Sequence, residues 1–422
     1  MAVFNREKDM EHLIASIGNK KIKIITGIRR CGKTYFLRDL MPEELKKLGL
    51  IGHKSDVLII ELKGKDINIK TKNQLRNFLT QKSNITRKFI VIDEVQKIKD
   101  YHNLLIDLIQ KYPEKEIFIT GSNSKILSND ILVHFQEMGH DIHLAPLTFK
   151  EIREVISNYS VDDYLRYGGL PYVVNLGSPE KKEEELNKIY CELYEADIKD
   201  RVNKNYTYIS KKMVRDAIRV IFSTSSEIST KGIADRIGKR NDQNTYDYQK
   251  LETEIENLIE LLIDSYLIQE FENDSFNSLN ILKNIGLNKK YYCTDNGLLY
   301  VNCDDKKRID GIVLENAVYL YLVSLGLKPK GKIILGKKNQ KDGEIDFNYS
   351  SSSKEDYHIQ VTWTLHDGDY ESEVGNLLKF NDSSRKILVY RYDELKISRS
   401  LDAEYIDVES YLLCKMHNFK KQ

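Results

Sequence analysis

The segment Gly27–Thr34 constrains the fold of this 422-residue chain more than any other, because it reads Gly-Ile-Arg-Arg-Cys-Gly-Lys-Thr. An apolar strand is predicted just before it, at residues 21–26, and a helix just after it, from Lys33 to about Met41 and Pro42. Glycines at both ends of the turn let the backbone curve tightly, so that successive N–H groups point at one spot. A strand, such a turn and a helix, in that order, predict an α/β unit with an anion-binding loop.

The residue types of this loop predict which anion it binds. The ammonium of Lys33 is a point charge for β- and γ-phosphate oxygens, and the hydroxyl of Thr34 is a ligand for Mg²⁺. We therefore expect ATP and Mg²⁺ as cofactors, with Lys33 as a catalytic residue as well. The predicted cofactor-binding residues are Gly27, Arg29, Arg30, Cys31, Gly32, Lys33, Thr34 and Tyr35.

A second motif, Asp93-Glu94, follows a predicted buried strand at Phe89–Ile92. Asp93 is expected to hold the magnesium together with Thr34, and Glu94 to orient and deprotonate the attacking water. The alternative is a strand that merely ends in two solvated acids. That alternative loses weight because a matching phosphate loop precedes the pair by about sixty residues.

Two further strands are predicted at Val57–Leu62 and Ile117–Thr120, with helical stretches between the strands. Strands that alternate with helices indicate a parallel sheet covered on both faces, and ligands bind beyond the carboxyl ends of such strands. Ser122 and Asn123 follow the last of these strands. We predict Asn123 as a catalytic residue that senses the γ-phosphate; the alternative is a plain Gly-Ser-Asn turn.

The sequence pattern changes beyond residue 147. Residues 148–200 are predicted to be helical, with a break at Tyr167–Pro171. Residues 210–275 carry three amphipathic helices and then an apolar strand, an order typical of a winged helix-turn-helix. Those helices are predicted at Met213–Ser223, at Ser229–Ile237 with an end at Gly238, and at Tyr248–Leu262. The remainder is mixed α/β, with a helix at Val313–Leu325 and strands at Lys332–Leu335, Glu344–Tyr349, Tyr357–Val361 and Lys386–Tyr390.

Composition limits the partners. Lys and Arg number 65 against 64 Asp and Glu, so any contact with nucleic acid needs a local basic patch. No apolar run approaches the roughly 20 residues that span a bilayer, and the N-terminal residues carry no signal-peptide core. Five scattered cysteines without a Cys-x-x-Cys pair are expected to be reduced thiols. We therefore expect a cytoplasmic protein with no membrane partner.

Six segments carry a resemblance to a known family: Gly27–Thr34, Ile92–Gln96, Thr120–Asn123, Leu147–Glu151, Gly168–Pro171 and Cys293–Leu298. They resemble the AAA+ branch of P-loop ATPases, and more narrowly a prokaryotic ATPase family with a helix-turn-helix region and a C-terminal domain of unknown function. The resemblance extends over nearly the whole chain. It implies an AAA+ ATPase core at 1–147, a helical subdomain at 148–204, a winged helix-turn-helix at 205–278 and a nuclease-like α/β domain at 279–422.

One departure from that family concerns turnover. Its members usually carry Gly-Arg shortly before the Leu-x-Phe-x-Glu segment, where the arginine can stabilise charge on the γ-phosphate. Here Gly139-His140 stands at that place, and a neutral imidazole is a poor replacement for a guanidinium. The resemblance therefore implies ATP hydrolysis that is slow. The arginines that could compensate are Arg29, Arg30, Arg166 and Arg201.

The family's C-terminal domain resembles the core of PD-(D/E)xK nucleases, whose chemistry needs two acids for magnesium and a lysine near the water. Asp346 matches the first acid and Glu315 can assist, whereas Gln360 and Thr362 stand where the second acid and the lysine would be. Either the domain cleaves nucleic acid, or a nuclease-like fold is kept for binding or scaffolding, which we expect. The lysines within residues 328–341 could meet a nucleic-acid backbone or form a solvated hairpin.

The predicted winged helix also leaves its partner open. Basic residues near its turn could contact DNA, or the module could dock a protein partner instead; they are Lys231, Arg236, Lys239 and Arg240. The chain is then an ATP-driven switch, an ATP-regulated nuclease, or an ATP-binding interaction protein that does not hydrolyse its nucleotide. The AAA+ resemblance also allows an oligomer, in which an arginine of one subunit reaches the site of the next.

Overall fold

The computed structural model of the protein describes most of the chain. The described residues are 2–62, 69–121, 135, 138–193, 198, 210–224, 226–240, 248–271, 273–274, 289–305, 307–334, 343–351, 354–379 and 383–413. Within this part of the chain, two large sheets organise the molecule, one in each half.

A five-stranded parallel sheet organises the first 147 residues, in the order β2-β3-β4-β1-β5. Its strands are β1 (Ile22–Thr26), β2 (Val57–Glu61), β3 (Phe89–Asp93), β4 (Glu116–Thr120) and β5 (Gly139–His143). Every residue of β1, β3 and β4 is buried, as expected for a parallel sheet with both faces covered. The four predicted strands are confirmed. The fifth was not predicted, because β5 is an edge strand with a single fully buried residue, Ile142.

Helices cover both faces of this sheet. They are α1 (Glu7–Ala15), α2 (Lys33–Tyr35), α3 (Met41–Lys47), α4 (Lys72–Leu79), α5 (Lys82–Ile85) and α6 (Tyr101–Lys111). Alternate residues of each strand point to opposite faces. Ile24 and Ile92 pack into a core with α4 and α6, whereas Ile25, Val91 and Phe118 face the core that contains the phosphate-loop helix.

The helix after the phosphate loop is longer than predicted. It was expected to end near Met41 and Pro42, but α2 continues through a π-helical turn, Phe36–Leu40, into α3. Pro42 lies in the first turn of α3, directly after the π-helical turn, where the wider turn accommodates a residue without an N–H. The proline therefore follows the turn without ending the helix.

A helical unit follows the five-stranded parallel sheet, as predicted. It consists of α7 (Phe149–Val155), α8 (Val161–Tyr167), α9 (Pro171–Val174) and α10 (Pro179–Leu193). The predicted break falls between α8 and α9, where Gly168 has a φ of 68°, a left-handed conformation that favours glycine.

Three helices and a two-stranded antiparallel sheet form the next unit. The helices are α11 (Lys211–Phe222), α12 (Thr230–Arg240) and α13 (Tyr248–Asp264), and the strands are β6 (Ile268–Phe271) and β8 (Lys290–Cys293). The predicted end of α12 at Gly238 is wrong, because glycine inside a helix costs only about 1 kcal/mol and the helix continues to Arg240. Strand β8 lies beyond residue 278 and yet pairs with β6.

The C-terminal half holds a six-stranded mixed sheet in the order β13-β12-β11-β10-β9-β7. Its strands are β7 (Asn273–Asp274), β9 (Lys330–Ile334), β10 (Gly343–Ser350), β11 (Asp356–Leu365), β12 (Arg385–Asp393) and β13 (Glu404–Asp407). The associated helices are α14 (Asn296–Asn302), α15 (Ile309–Ser324), α16 (Asp367–Leu378) and α17 (Val408–Leu413). Strand β10 is antiparallel to both its neighbours, whereas β11, β12 and β13 run parallel. The strands predicted here are present, although Leu335 lies outside the described residues.

A helix that spans a membrane must be both long and apolar. Among the helices in the described part of the chain, none is both long and apolar enough to cross a bilayer.

Candidate nucleotide-binding site

The loop Gly27–Thr34 leaves the carboxyl end of β1 in the conformation its glycines permit. Gly27 has a φ of 131° and Gly32 a φ of 103°. A Cβ added at Gly27 would lie 2.1 Å from the carbonyl oxygen of Leu144, so no other residue fits there. The predicted loop thus has the close backbone approach that a phosphate cradle requires.

The ammonium of Lys33 lies on the inner side of this loop. Its Nζ donates hydrogen bonds to the carbonyl oxygens of Gly27 at 2.7 Å and Ile28 at 2.9 Å, and it lies 3.8 Å from Sγ of Cys31. Only 7% of Lys33 is exposed. The charge is therefore held where phosphate oxygens would enter the loop, with carbonyl groups as its present partners.

Asp93 is held by two hydroxyl groups. Thr34 Oγ1 donates to its Oδ2 at 3.0 Å, and Thr120 Oγ1 donates to its Oδ1. Burial raises the pKa of Asp93 above its usual range, and both hydroxyl groups oppose that rise. The predicted magnesium residues Thr34 and Asp93 thus lie together. Their oxygen-only donor set suits a hard cation such as Mg²⁺.

Glu94 has a strained backbone, with a φ of 59°. Its N–H donates to Thr120 Oγ1 at 3.1 Å, and Gln96 Nε2 donates to its Oε2 at 2.5 Å. Thr120 therefore contacts both acids of the motif. Neither Thr120 nor Gln96 was predicted as a site residue; the available signal was that Thr120 ends a strand beside β3.

The other predicted site residues have varied surroundings. Nη2 of Arg30, within the loop, donates to both carboxylate oxygens of Glu192 on α10, at 2.9 and 3.2 Å. Tyr35 is 40% exposed, whereas Cys31 is fully buried. Asn123, the predicted γ-phosphate sensor, lies outside the described residues, as does Ser122.

Arg6, near the N-terminus, supports the loop through backbone carbonyl groups, and it was not predicted from the sequence. Arg6 donates from Nη2 to the carbonyl oxygen of Cys31 at 2.8 Å and from Nη1 to that of Ala145 at 2.7 Å. It also lies 3.6 Å from Asp9 and is buried. These two hydrogen bonds hold the loop, at Cys31, against the segment that follows β5.

The expectation for His140 needs correction. Strand β5 runs parallel to β1, and His140 pairs with Lys23, whereas His143 pairs with Thr26 at the loop. His140 therefore lies toward the amino end of the sheet, away from the phosphate loop of its own chain. Its ring is 5.3 Å from that of His12, and burial together with the His12 and Lys23 charges lowers its pKa. Within one chain His140 is therefore not placed beside the phosphate loop, and the slow hydrolysis stays a prediction.

A tyrosine between α13 and β6 reaches the phosphate loop. The hydroxyl of Tyr266 lies near the side chain of Thr26, which lowers the tyrosine's pKa against the rise caused by burial, and its ring lies 4.9 Å from that of His143. His143 Nδ1 is 3.1 Å from Thr26 Oγ1. Thr294, just after β8, donates to the carbonyl oxygen of Tyr266 at 2.6 Å. The three-helix unit thus contacts the residue directly before Gly27.

A buried aspartate joins the helical unit to α14. Asp295 accepts hydrogen bonds from the N–H groups of Gly169 at 2.8 Å and Leu298 at 3.1 Å. A Cβ added at Gly169 would lie 2.0 Å from the carbonyl oxygen of Leu147, and one at Gly297 would lie 2.4 Å from that of Tyr167. The two glycine-containing segments of the sequence therefore meet at one crowded corner.

The residues proposed for DNA contact are only partly described. Lys231 and Arg236 are exposed on α12, and Arg236 donates to Thr224 Oγ1 at 2.8 Å. The side chains of Lys239 and Arg240 lie outside the described part.

Comparisons with known proteins agree with this geometry. Residues 19–153 match a family model described as an AAA domain (AAA_14), and residues 158–306 match one described as a domain of unknown function (DUF8612). With the parallel sheet and the phosphate loop, the first match confirms the predicted α/β class and the AAA+ P-loop fold of the core. The second match extends from the helical unit to beyond α14, so it includes β8 and the short strand β7 and ends before α15 and β9.

Whole-length relatives have been found as well. The chain is 26% identical over 404 residues to an uncharacterized protein of Haemophilus influenzae, covering 92% of this chain and 93% of that one. It is 27% identical over 393 residues to the uncharacterized protein MJ1544 of Methanocaldococcus jannaschii, covering 88% and 82%.

Solved structures give weaker similarities. One is the Aeropyrum pernix ORC1 protein in complex with DNA, at 13% identity and a TM-score of 0.28, covering 72% of this chain and 93% of that one. Another is the Aeropyrum pernix ORC2 protein in ADPNP–ADP complexes, at 12% identity and a TM-score of 0.34, covering 74% and 92%. Neither TM-score reaches 0.5, so neither bears on function.

Proposed function

We propose that this protein is an ATP-driven switch that binds ATP with Mg²⁺ and hydrolyses it. The observation that carries the proposal is the position of Asp93, whose carboxylate receives one hydrogen bond from Thr34 of the phosphate loop and another from Thr120. A carboxylate and a loop hydroxyl at one point are what a magnesium ion beside a nucleotide requires.

Each residue then has one role. Lys33 exchanges its bonds to Gly27 and Ile28 for bonds to phosphate oxygens, and Thr34 and Asp93 hold the magnesium. Glu94 accepts a proton from the attacking water. Bound magnesium supplies positive charge next to the phosphates. The 2.5 Å hydrogen bond from Gln96 Nε2 to Oε2 of Glu94 orients this carboxylate.

The first prediction tests the site itself. Lys33→Ala should weaken binding of a fluorescent ATP analogue at least about tenfold, because a point charge on the phosphates is lost, and about 1.4 kcal/mol corresponds to each tenfold change. The matched control is Lys47→Ala on α3, whose side chain is 71% exposed and pairs with Glu44. Undiminished affinity in Lys33→Ala would remove the site assignment.

We also propose that the three-helix unit is a winged helix and that it carries the output of the switch. Three helices, the antiparallel pair β6–β8 and a bridge between Ile228 and Lys289 support this. Its partner is DNA or a protein. Phosphate release measured with and without duplex DNA separates the two. DNA stimulation that disappears in Lys231→Ala, but not in Lys72→Ala on α4, favours DNA. Assembly into an oligomer and a cytoplasmic location belong to the same proposal.

The alternative is an ATP-binding interaction protein without turnover. It predicts that ATP raises the unfolding temperature in both wild type and Glu94→Gln, with phosphate release from wild type no faster than from the variant. Release that Glu94→Gln abolishes would exclude it.

A further inference from the structure

Lys290, the first residue of β8, lies beside the acidic residues next to the C-terminal sheet. Lys290 Nζ lies 2.5 Å from Glu315 Oε1, and only 4% and 12% of these two side chains are exposed. Tyr292, two residues further along the same strand, donates a hydrogen bond to Glu315 as well. Because β8 pairs with β6 and Glu315 belongs to α15, the ion pair joins the three-helix unit to the C-terminal half.

Asp346 of β10 belongs to the same cluster. Its Oδ2 accepts a hydrogen bond from the N–H of Val361 at 2.8 Å. Burial and the charge of Glu315 raise the pKa of Asp346 well above its usual range, whereas the charge of Lys290 opposes that rise. One ammonium group thus acts on both carboxyl groups.

Aromatic rings surround this ion pair. Tyr292 stacks on Tyr319 with ring centroids 4.1 Å apart, and the rings of Phe271 and Phe347 lie 5.0 and 5.8 Å from that of Tyr292. Charges in such apolar surroundings interact more strongly than in water, and breaking one partner of a buried pair is more harmful than removing both.

The resemblance to nucleases implies a magnesium ion at these acids, and the residues present do not fit one. A metal centre needs several oxygen ligands converging on one point, but a fixed ammonium already contacts Glu315. In the described part of the chain, no group of three or more His, Cys, Asp or Glu is placed to hold a metal. Thr362, at the position of the nuclease lysine, donates to the carbonyl oxygen of Thr364 at 3.3 Å.

Gln360 is the remaining candidate ligand. Its Nε2 donates to Glu373 at 3.0 Å, while its buried Oε1 accepts no hydrogen bond from any described residue. A cation could use that oxygen together with Asp346, so a cation titration is the sharpest test of the centre.

We propose that Lys290 neutralises this acidic centre in place of a metal ion and thereby fastens strand β8 to the C-terminal half. The centre then binds no catalytic magnesium, and the C-terminal half holds the three-helix unit in position instead of cleaving nucleic acid. This inference is independent of the nucleotide site, because it rests on the contacts of Lys290, Glu315 and Asp346 and on no residue of the phosphate loop.

The first experiment counts bound cations. Mn²⁺ is titrated into nucleotide-free wild type and Asp346→Asn, with free Mn²⁺ followed by electron paramagnetic resonance. The two proteins are expected to bind the same number of ions. Asp93→Asn is the matched control that identifies ions bound at the nucleotide site. A Mn²⁺ ion present in wild type and lost in Asp346→Asn overturns the proposal.

The second experiment is a double-mutant cycle on thermal unfolding. Lys290→Met and Glu315→Gln should each lower the unfolding temperature by several degrees, because each removes one partner of the buried ion pair. The double variant should recover most of that loss. Losses that simply add overturn the proposal. If Lys290→Met does not fold, a double variant that folds supports the pair, and one that does not fold overturns it.

A neighbouring ion pair provides the control. Lys289 directly precedes β8 and Glu270 lies on β6; their charged groups are 2.8 Å apart, but their side chains are 42% and 34% exposed. Lys289→Met and Glu270→Gln should leave the unfolding temperature nearly unchanged. An effect as large as that at Lys290 would mean that burial is not what makes the Lys290 pair important.

Discussion

At the scale of single residues, Thr120 decides how the two acids of the site are arranged. Its hydroxyl donates to Asp93 and accepts from the N–H of Glu94. Thr120→Val keeps the shape but loses both bonds, so phosphate release should fall about tenfold or more, because small misplacements of catalytic groups are costly. Thr120→Ser should retain most of the rate. Fluorescent-nucleotide titration should show nearly unchanged affinity in both variants.

The control for this prediction is an exposed threonine. Thr253 on α13 donates only to the carbonyl oxygen of Gln249, so Thr253→Val should leave phosphate release unchanged. If Thr120→Ser is as slow as Thr120→Val, the hydroxyl is not the relevant group.

Residues of the site differ in how far the sequence could reveal them. Lys33, Thr34 and the Asp93-Glu94 pair follow from short motifs, because their roles depend on a local turn and a strand end. Arg6 could not be predicted, since it acts on backbone carbonyl groups 25 and 139 residues away, and such contacts have no sequence signature. His140 was misplaced for a related reason: its position depends on the direction of an edge strand that was not predicted.

At the scale of elements, the corner around Asp295 holds the helical unit against α14. Gly169→Ala should destabilise the protein by about 1–3 kcal/mol or more, because the added methyl would overlap the carbonyl oxygen of Leu147. Gly177→Ala is the matched control: it lies in a loop of the same unit, and nothing is within 4 Å of the added Cβ. Chemical denaturation measures both. Equal stability of the two variants would show that the corner can relax.

The same corner should make stability depend on pH. Burial raises the pKa of Asp295 from 3.8 to about 6, so between these values the folded state binds more protons than the unfolded state. This contribution to stability is therefore present below pH 4 and is lost as the pH rises through 6. Relative to Asp295→Asn, the wild type should lose up to about 3 kcal/mol over that range. Asp107 is an exposed aspartate, so Asp107→Asn measures the pH-dependent change in stability that an ordinary carboxylate contributes.

Strands and helices were predicted correctly where their apolar residues follow a clear pattern. The four predicted strands of the five-stranded sheet each present an apolar run, whereas β5 is mostly polar. The π-helical turn at Phe36–Leu40 could not be predicted, because the proline after it is equally compatible with a helix end.

At the scale of the whole molecule, contacts between units depart most from what the sequence indicated. A boundary was predicted at residue 278, but β8 pairs across it with β6, and the family match at 158–306 also crosses it. Pairing between strands about twenty residues apart leaves no periodic signal. The consequence is that the three-helix unit is tied to the C-terminal half by Lys290 and to the phosphate loop by Tyr266.

The Tyr266 contact predicts how the effect of nucleotide binding is transmitted to the three-helix unit. ATP should change amide hydrogen exchange in α11, α12 and α13 of the wild type. In Tyr266→Ala that change should disappear while nucleotide affinity stays within about threefold, because the tyrosine contacts Thr26 and not the phosphates. Tyr266→Phe keeps the ring beside His143 but loses the hydroxyl, so an intermediate response is expected. An undiminished exchange response in Tyr266→Ala would mean that another contact transmits the effect of nucleotide binding. The ion pair between Arg30 of the loop and Glu192 is such a contact.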